Sequence, residues 1–466
     1  MLKLPRTVVC LALAFGASAP VAAQTPDPLV DPYRDISTRI IEAALADSAA
    51  WNRLAALTDG FGNRLSGSEA LERAIDWIVE EMRHDGLDNP HTEPVKVPHW
   101  VRGQESAELV SPRKVALPML GLGGSIATPK QGITAEVLIV DSFDDLKARV
   151  AEAKGKIVLF DVPFTDYGAT VAYRSRGAVE AARVGAVASL IRSVTPNSIR
   201  SPHTGAMNYD STVSRIPAAA LTVEDAMMLH RMQQRGERVV MKLVMQAQTL
   251  PDADSRNVMA EVTGREHPEE VVVLGGHIDS WDVGTGAMDD AGGVVAAWEA
   301  VRLIKQLGLT PRRTIRAVGW TNEENGLRGG RAYRESRTPE QVAGHILAIE
   351  SDGGVFRPIG FGAGASDSAV AILQRVITLL QPIGADSLSR PGGGADIGPL
   401  MERGVPGLGL NTVGDRYFWY HHSQGDMADK LDPVDVARCV AAMAVMAYVV
   451  AELPEPLPKG VPQARE

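Results

Sequence analysis

Cysteine is almost missing from this chain: two residues in 466, at positions 10 and 439. Cys10 lies in a segment that reads as a cleavable leader, so a mature chain would keep Cys439 alone. That excludes an internal disulfide and any cysteine-based zinc site. Cys439 falls in the apolar helical pattern "PVDVARCVAAMAVMAYVV", where a small buried residue is the plain reading. Positive charge is also in deficit: Lys and Arg number 47 against 57 Asp and Glu, a formal charge of −10, which argues against a nucleic-acid partner. There is no Gly-Lys-Ser/Thr phosphate loop and no internal repeat.

What is present is apolar sequence, 45% of the chain, enough for more than one packed domain. Residues 1–23 combine a basic start (Lys3, Arg6), the apolar run "TVVCLALAFG" and a small-residue site ending in Ala23. This is the pattern of a signal peptide, and the run is too short for a stable membrane span. The expectation is an exported protein, periplasmic or secreted. Loss of Lys3 and Arg6 would take the charge from −10 to −12.

Residues 24–33 are rich in Pro and Asp and read as flexible. From Ile36 to about Gly86 the pattern is helical, with Leu71, Ile75, Trp77 and Ile78 favouring one face. Strand-like runs follow from about Arg102 ("ITAEVLIVDS", "GKIVLFDVPF", "AVASLIRSV"), and this block closes near Leu250 with "PDADS". From "RNVMAEVTG" onward, continuous apolar runs alternate with helical patterns, as expected of a mainly parallel sheet with helices on both faces. The expected divisions are 24–101 and 251–452 for one α/β domain, 102–250 for an inserted α/β block, and 453–466 for a loose Pro-rich tail.

Acids and histidines gather just beyond four strand-like runs, where functional residues collect in such sheets. "VVVLGG" leads into His277-Ile278-Asp279, "IRAVGWTN" into Glu323-Glu324, "HILAIES" into Asp352, and "VPGLGL" after a loop into His421-His422. His277 and Asp279 share one face of an extended chain, so the Asp279 carboxylate can take the second ring N–H of a ligand histidine. Asp289, twelve residues on, opens a helix and could bridge two cations. Adjacent Glu323 and Glu324 point in different directions, so one can bind metal while the other faces a water to be deprotonated. Without cations so many carboxylates would repel one another and rise in pKa. Each fragment alone has a plainer reading as a turn or cap; the argument rests on the set. His84, His91, His99, His203, His230, His267 and His345 are read as structural.

Together "GGHIDSWDVGTGAMDDAGG", "NEENGLRGG", "ESDGG" and "YHHSQGD" resemble the co-catalytic di-zinc aminopeptidase family, in its plasma glutamate carboxypeptidase (carboxypeptidase Q) branch. The resemblance implies the zinc exopeptidase fold with an inserted protease-associated-like lid over residues 102–250, two zinc ions, short peptide substrates and a homodimer. It implies metal ligands at His277, Asp289, Glu324, Asp352 and His422, with Asp289 shared, Asp279 supporting the ligand His277, and Glu323 as general base. His422 is taken over His421 because "HSQGD" fits the family's His-Ser/Thr-x-x-Asp pattern. His421 and Asp396 (in "RPGGGADIGPL") are candidates for substrate contact, with a structural turn acid an equal reading of Asp396. The implied activity is that of an aminopeptidase or dipeptidase. Carboxypeptidase, glutaminyl cyclase and a non-catalytic binder on the same fold are the alternatives, and no arginine cluster for a terminal carboxylate is visible. A nucleotide-dependent oxidoreductase is suggested only by "GFGAGA" at Gly360–Ala365, without the strand–turn–helix context that fingerprint needs.

Overall fold

The computed structural model describes residues 26–461; the leader lies outside the described residues. Sixteen strands among them form two eight-stranded sheets. In chain order these are β1 (Asp88–Val101), β2 (Glu105–Ser111), β3 (Val115–Leu117), β4 (Met119–Gly121), β5 (Ile133–Val140), β6 (Ile157–Phe160), β7 (Ala188–Arg192) and β8 (Ala218–Leu221). They continue with β9 (Val240–Met245), β10 (Gln248–Val262), β11 (His267–His277), β12 (Arg313–Trp320), β13 (His345–Glu350), β14 (Pro358–Gly364), β15 (Ser387–Ser389) and β16 (Gly407–Thr412).

The first sheet runs β1-β10-β12-β11-β13-β16-β14-β15. Its centre, β12-β11-β13-β16, is parallel; β10 and β1 on one side and β14 on the other are antiparallel additions. Alternation along β11 sends Val272 and Leu274 to one face and Val271 and Val273 to the other. Helices cover both faces. Helices Arg34–Ala46, Ala49–Phe61, Glu69–His84, Gly292–Gln306 and Pro433–Glu452 line the larger core, while Arg328–Glu335 and Pro339–Gly344 line the smaller. Local signals set the helix starts: Ser68 accepts from the Leu71 amide at 3.2 Å, and Asp432 caps Val434 just before Pro433. Pro433–Glu452 is long and apolar enough to cross a membrane, yet 83% of its apolar window is buried in this core, Cys439 included.

The second sheet, β3-β2-β9-β5-β6-β7-β8-β4, is built entirely from residues between β1 and β10, so it hangs from the first as an insertion. It has its own apolar cores on its two faces. A third, mixed cluster of Leu65, Trp100, Leu120, Ala247, Trp281 and Val283 fills the seam between the units. There Gly123 lies so close to the Trp281 indole that a Cβ would come within 1.9 Å of it. Beside this seam Arg102 is ion-paired to Asp282 at 2.6 Å.

Two expectations need correction. "PDADS" is not a closing loop but the solvent-facing middle of β10, paired with β1, whose Pro94 and Pro98 are tolerated because β1 is an edge strand. The two termini, as far as they are described, are pinned rather than loose. Val30 is buried and Asp27 pairs with Arg375; Arg313 donates to the Leu453 carbonyl, and Leu457 is buried. The nucleotide fingerprint already set aside at "GFGAGA" gains nothing from the fold: the run lies within and just past strand β14, and Gly362 lets the Gly392 backbone pass within contact distance.

Candidate metal centre

Strands β11, β12 and β13 are parallel neighbours, so their carboxyl ends bring His277, the Glu323-Glu324 turn and Asp352 to one edge. Asp289 joins them because the helix starting at Gly292 packs against β11 where neither has a side chain in the way. A Cβ on Gly276 would sit 2.2 Å from the Asp290 carboxylate. His421 and His422 follow the short helix Tyr417–Tyr420.

Asp289 is central. Its Oδ1 lies 3.1 Å from His277 Nε2, which is also 3.3 Å from Asp352 Oδ1. Its Oδ2 lies 3.2 Å from His422 Nε2, which is 2.9 Å from Glu324 Oε2. Two donors held by one zinc at about 2.0–2.1 Å in a tetrahedral arrangement are themselves about 3.3 Å apart, so these spacings are those of ligands around an ion. Asp289 Oδ2, Glu324 Oε1 and Asp352 Oδ1 are buried without a hydrogen bond, as donors awaiting a cation would be. Nitrogen and carboxylate donors without sulfur suit zinc, and the residues present therefore fit the metal.

Two other residues stand close. Asp290 can be grouped with His277 and Asp352 by distance, yet its two oxygens already accept from the amides of Gly293 and His277 at 3.0 and 3.1 Å. His421 lies 3.5 Å from Asp289 and its ring stacks on that of His422 with centroids 3.5 Å apart. It lacks the contact to Glu324 that His422 makes. His422 adopts φ +60°, an uncommon conformation for a residue with a side chain.

The supporting residues depart from expectation in one respect. His277 Nδ1 meets the main-chain oxygen of Asp279 at 2.8 Å, whereas the Asp279 carboxylate is 3.7 Å away. That carboxylate instead accepts from the amides of Glu323 (3.0 Å) and Glu324 (3.4 Å) and from the Ser66 hydroxyl. It fixes the glutamate turn, and its own backbone fixes the histidine. Asp426 acts similarly on the other side, accepting from the amides of Ala287, Met288 and Asp289. Arg64, fully buried, donates to the carbonyls of Gly62, Ile278, Thr285 and Gly286. The sequence carries no signal for Arg64 beyond its place in "NRLSG", because three of its four partners are backbone atoms more than 200 residues away.

Electrostatics reflect so much buried negative charge. Burial, then the neighbouring acids, pushes the Glu323 carboxyl well above its usual range, and Glu324 up to about 7. Burial opposes ionisation of Asp289, but His277 and His422 outweigh it and hold that group well below the ordinary carboxylate value. Burial, then His422, holds His421 neutral, well below the usual imidazole range.

Glu323, Glu324, Asp289, Asp352, His421 and His422 line a cleft of about 750 Å³. The inserted unit supplies the facing wall, including Gly123, Tyr167, Arg174 and Met207. The Glu323 carboxylate makes no hydrogen bond within the described residues, while Glu324 turns toward His422. Asp396 is not part of this lining. It is 2% exposed, on a loop whose Ala395 and Ile397 amides are held by Glu350, and near enough for its charge to push Glu323 up. Both Asp396 carboxylate oxygens are buried without a hydrogen bond among the described residues. The fold also brings in two arginines that no sequence cluster revealed: Arg174, which donates to the Tyr167 hydroxyl, and Arg331, exposed in the cleft without an ion pair among the described residues.

Residues 257–447 match peptidase family M28. Carboxypeptidase Q of Xenopus laevis is 51% identical over 433 residues, 92% of each chain. Among solved structures, a peptidase M28 precursor from Shewanella amazonensis superposes with a TM-score of 0.90 at 36% identity, covering 93% of this chain and all of that one. A zinc aminopeptidase from Bacillus subtilis shares the fold at a TM-score of 0.64 and 21% identity, over 86% and 94% of the two chains. With a donor set that fits zinc and relatives matched along nearly their whole length, the chain belongs to the M28 zinc metallopeptidases, among the carboxypeptidase Q relatives.

Proposed function

We propose that the protein is an exported exopeptidase that cleaves short peptides with free ends, as an aminopeptidase or dipeptidase, at a site for two zinc ions. The observation that carries this reading is the Asp289 carboxylate, with one oxygen facing His277 and Asp352 and the other facing His422 and Glu324. Zinc ions held there would polarise the peptide carbonyl and lower the pKa of water. His277, Asp289 and Asp352 would hold one ion; Asp289, Glu324 and His422 the other.

Glu323 takes the proton from the attacking water and passes it to the leaving amine. Its raised pKa and free carboxylate suit both halves of that transfer. Asp279 keeps Glu323 and Glu324 in register by accepting both amides. The cleft volume suits a short peptide. Its acidic metal end suits a substrate ammonium, and Arg331 suits a terminal carboxylate. That arginine is also the specific feature favouring a carboxypeptidase as second reading. Export rests on the leader pattern of residues 1–23, and a homodimer remains part of the proposal through the branch alone.

The test is hydrolysis of free, N-blocked and C-amidated dipeptides by the mature chain and by Glu323→Gln. The proposal expects cleavage of free dipeptides, lowered about 10²–10⁴-fold in the variant with zinc content unchanged. Preferential cleavage of N-blocked substrates would move the assignment to a carboxypeptidase. Full activity in Glu323→Gln would remove the general-base role.

A further inference from the structure

Both carbonyl oxygens of the His421–His422 pair are gripped by consecutive residues of the inserted unit. His203 Nδ1 donates to the His421 oxygen at 2.6 Å, and the Thr204 amide donates to the His422 oxygen at 2.9 Å. The contact is reciprocal, since His422 Nδ1 faces two groups of the inserted unit, Arg174 Nη1 at 3.3 Å and the Thr204 oxygen at 3.4 Å. With Nε2 turned to Asp289 and Glu324, the other ring nitrogen of a ligand histidine needs a partner that fixes the ring's orientation. His277 finds its acceptor inside the first unit, at Asp279. His422 finds its partners, Arg174 and Thr204, only across the seam.

The 203–204 segment is itself anchored within the insertion. The His203 amide donates to Ser193 Oγ at 2.8 Å, and the Thr204 hydroxyl donates to the Gly121 oxygen at 2.7 Å. His203 is 1% exposed, and its Nε2 has no partner. A buried ring that leaves one nitrogen unsatisfied is retained here for the bond made by the other. His422, at φ +60°, is the residue that most needs such a hold.

We propose that His203 is a positioning residue for one metal site: the inserted unit, through His203 and Thr204, sets the backbone and ring of His422 and thereby the affinity for the ion shared by Asp289, Glu324 and His422. The insertion is then part of the metal centre's support as well as a wall of the cleft. The inference rests on the two-ion reading above.

The experiment compares His203→Asn with His203→Gln. Asn carries its amide N–H near the Nδ1 position and can keep the bond to His421; Gln carries it near Nε2 and cannot. Zinc binding is measured by equilibrium dialysis against buffered zinc, with melting temperature as the control for folding. Expected are two equivalents in the parent chain. In His203→Gln one remains tight and the other weakens about 10–100-fold, and in His203→Asn both lie within a few-fold of the parent. Equal affinities in all three chains would overturn the proposal. So would matching losses at both sites in both variants that track a lower melting temperature, since that marks a structural role only. A parent chain that binds fewer than two equivalents would instead overturn the two-ion reading itself.

Discussion

Arg64→Met is the perturbation whose size the structure predicts most directly. The guanidinium is fully buried and donates to four carbonyls, at 2.8 Å to Gly62, 2.8 Å to Ile278, 2.7 Å to Thr285 and 3.0 Å to Gly286. Burial lowers its pKa to about 10, against the pull of Asp426, Asp279, Asp290 and Asp289, so it stays charged at neutral pH. Methionine matches the stem but leaves the carbonyls unpaired and removes the positive charge from among four carboxylates. Removing one partner from a buried charged network costs about 3–5 kcal/mol. In urea that is a midpoint shift of about 1 M or more, taking a slope of ~3 kcal/mol/M. The shift should be larger in metal-free protein than in zinc-loaded protein, because bound cations offset the same acids and add their own linkage to the folded state. The assay is urea unfolding by circular dichroism with and without zinc, fitted to as many transitions as appear, since two units need not unfold together. An unchanged midpoint in metal-free Arg64→Met would refute the reasoning.

Two further outcomes are expected. Burial, then Arg316 and Arg337, lowers His345 to about 3, with Tyr333 donating to its Nε2 and its Nδ1 donating to the Gln341 oxygen. The unfolded chain takes up a proton near pH ~6.5 that the folded chain refuses. Stability from this group is therefore full above that pH and lost as pH falls toward the folded value, at up to about 1.4 kcal/mol per unit. His345→Gln should flatten the decline of the urea midpoint between pH 6.5 and 5; an unaltered slope would contradict the assignment. Gly123→Ala, whose Cβ would meet the Trp281 ring, should cost about 1–3 kcal/mol by overpacking and loosen the seam, seen as faster limited proteolysis between the two units.

The catalytic half of this protein was legible because its chemistry is written in short motifs at strand ends. Continuous apolar runs place β11, β12, β13 and β16, and the acids that follow them have no structural reason to stand together. Where the reading failed, the missing information was long-range. β10 continues through "PDADS" with β1 beside it, across a register shift opposite Val97–His99. The described tail is fixed by Arg313, from the start of β12. His203 and three of the four Arg64 bonds act through carbonyls 200 or more residues distant, and a backbone acceptor leaves no trace in side-chain identity. The histidines read as structural divide similarly: His345 and His230 bond within their own units, whereas His203 crosses the seam.

The claim on which everything else depends is that one carboxylate, Asp289, serves two zinc ions. Metal analysis of zinc-saturated, extensively dialysed parent and Asp289→Ala chains tests it with one number each. The account predicts about two zinc ions per parent chain, as in two-metal sites, and loss of both from a variant that still folds. Retention of two ions by Asp289→Ala, or none in the parent, would contradict it.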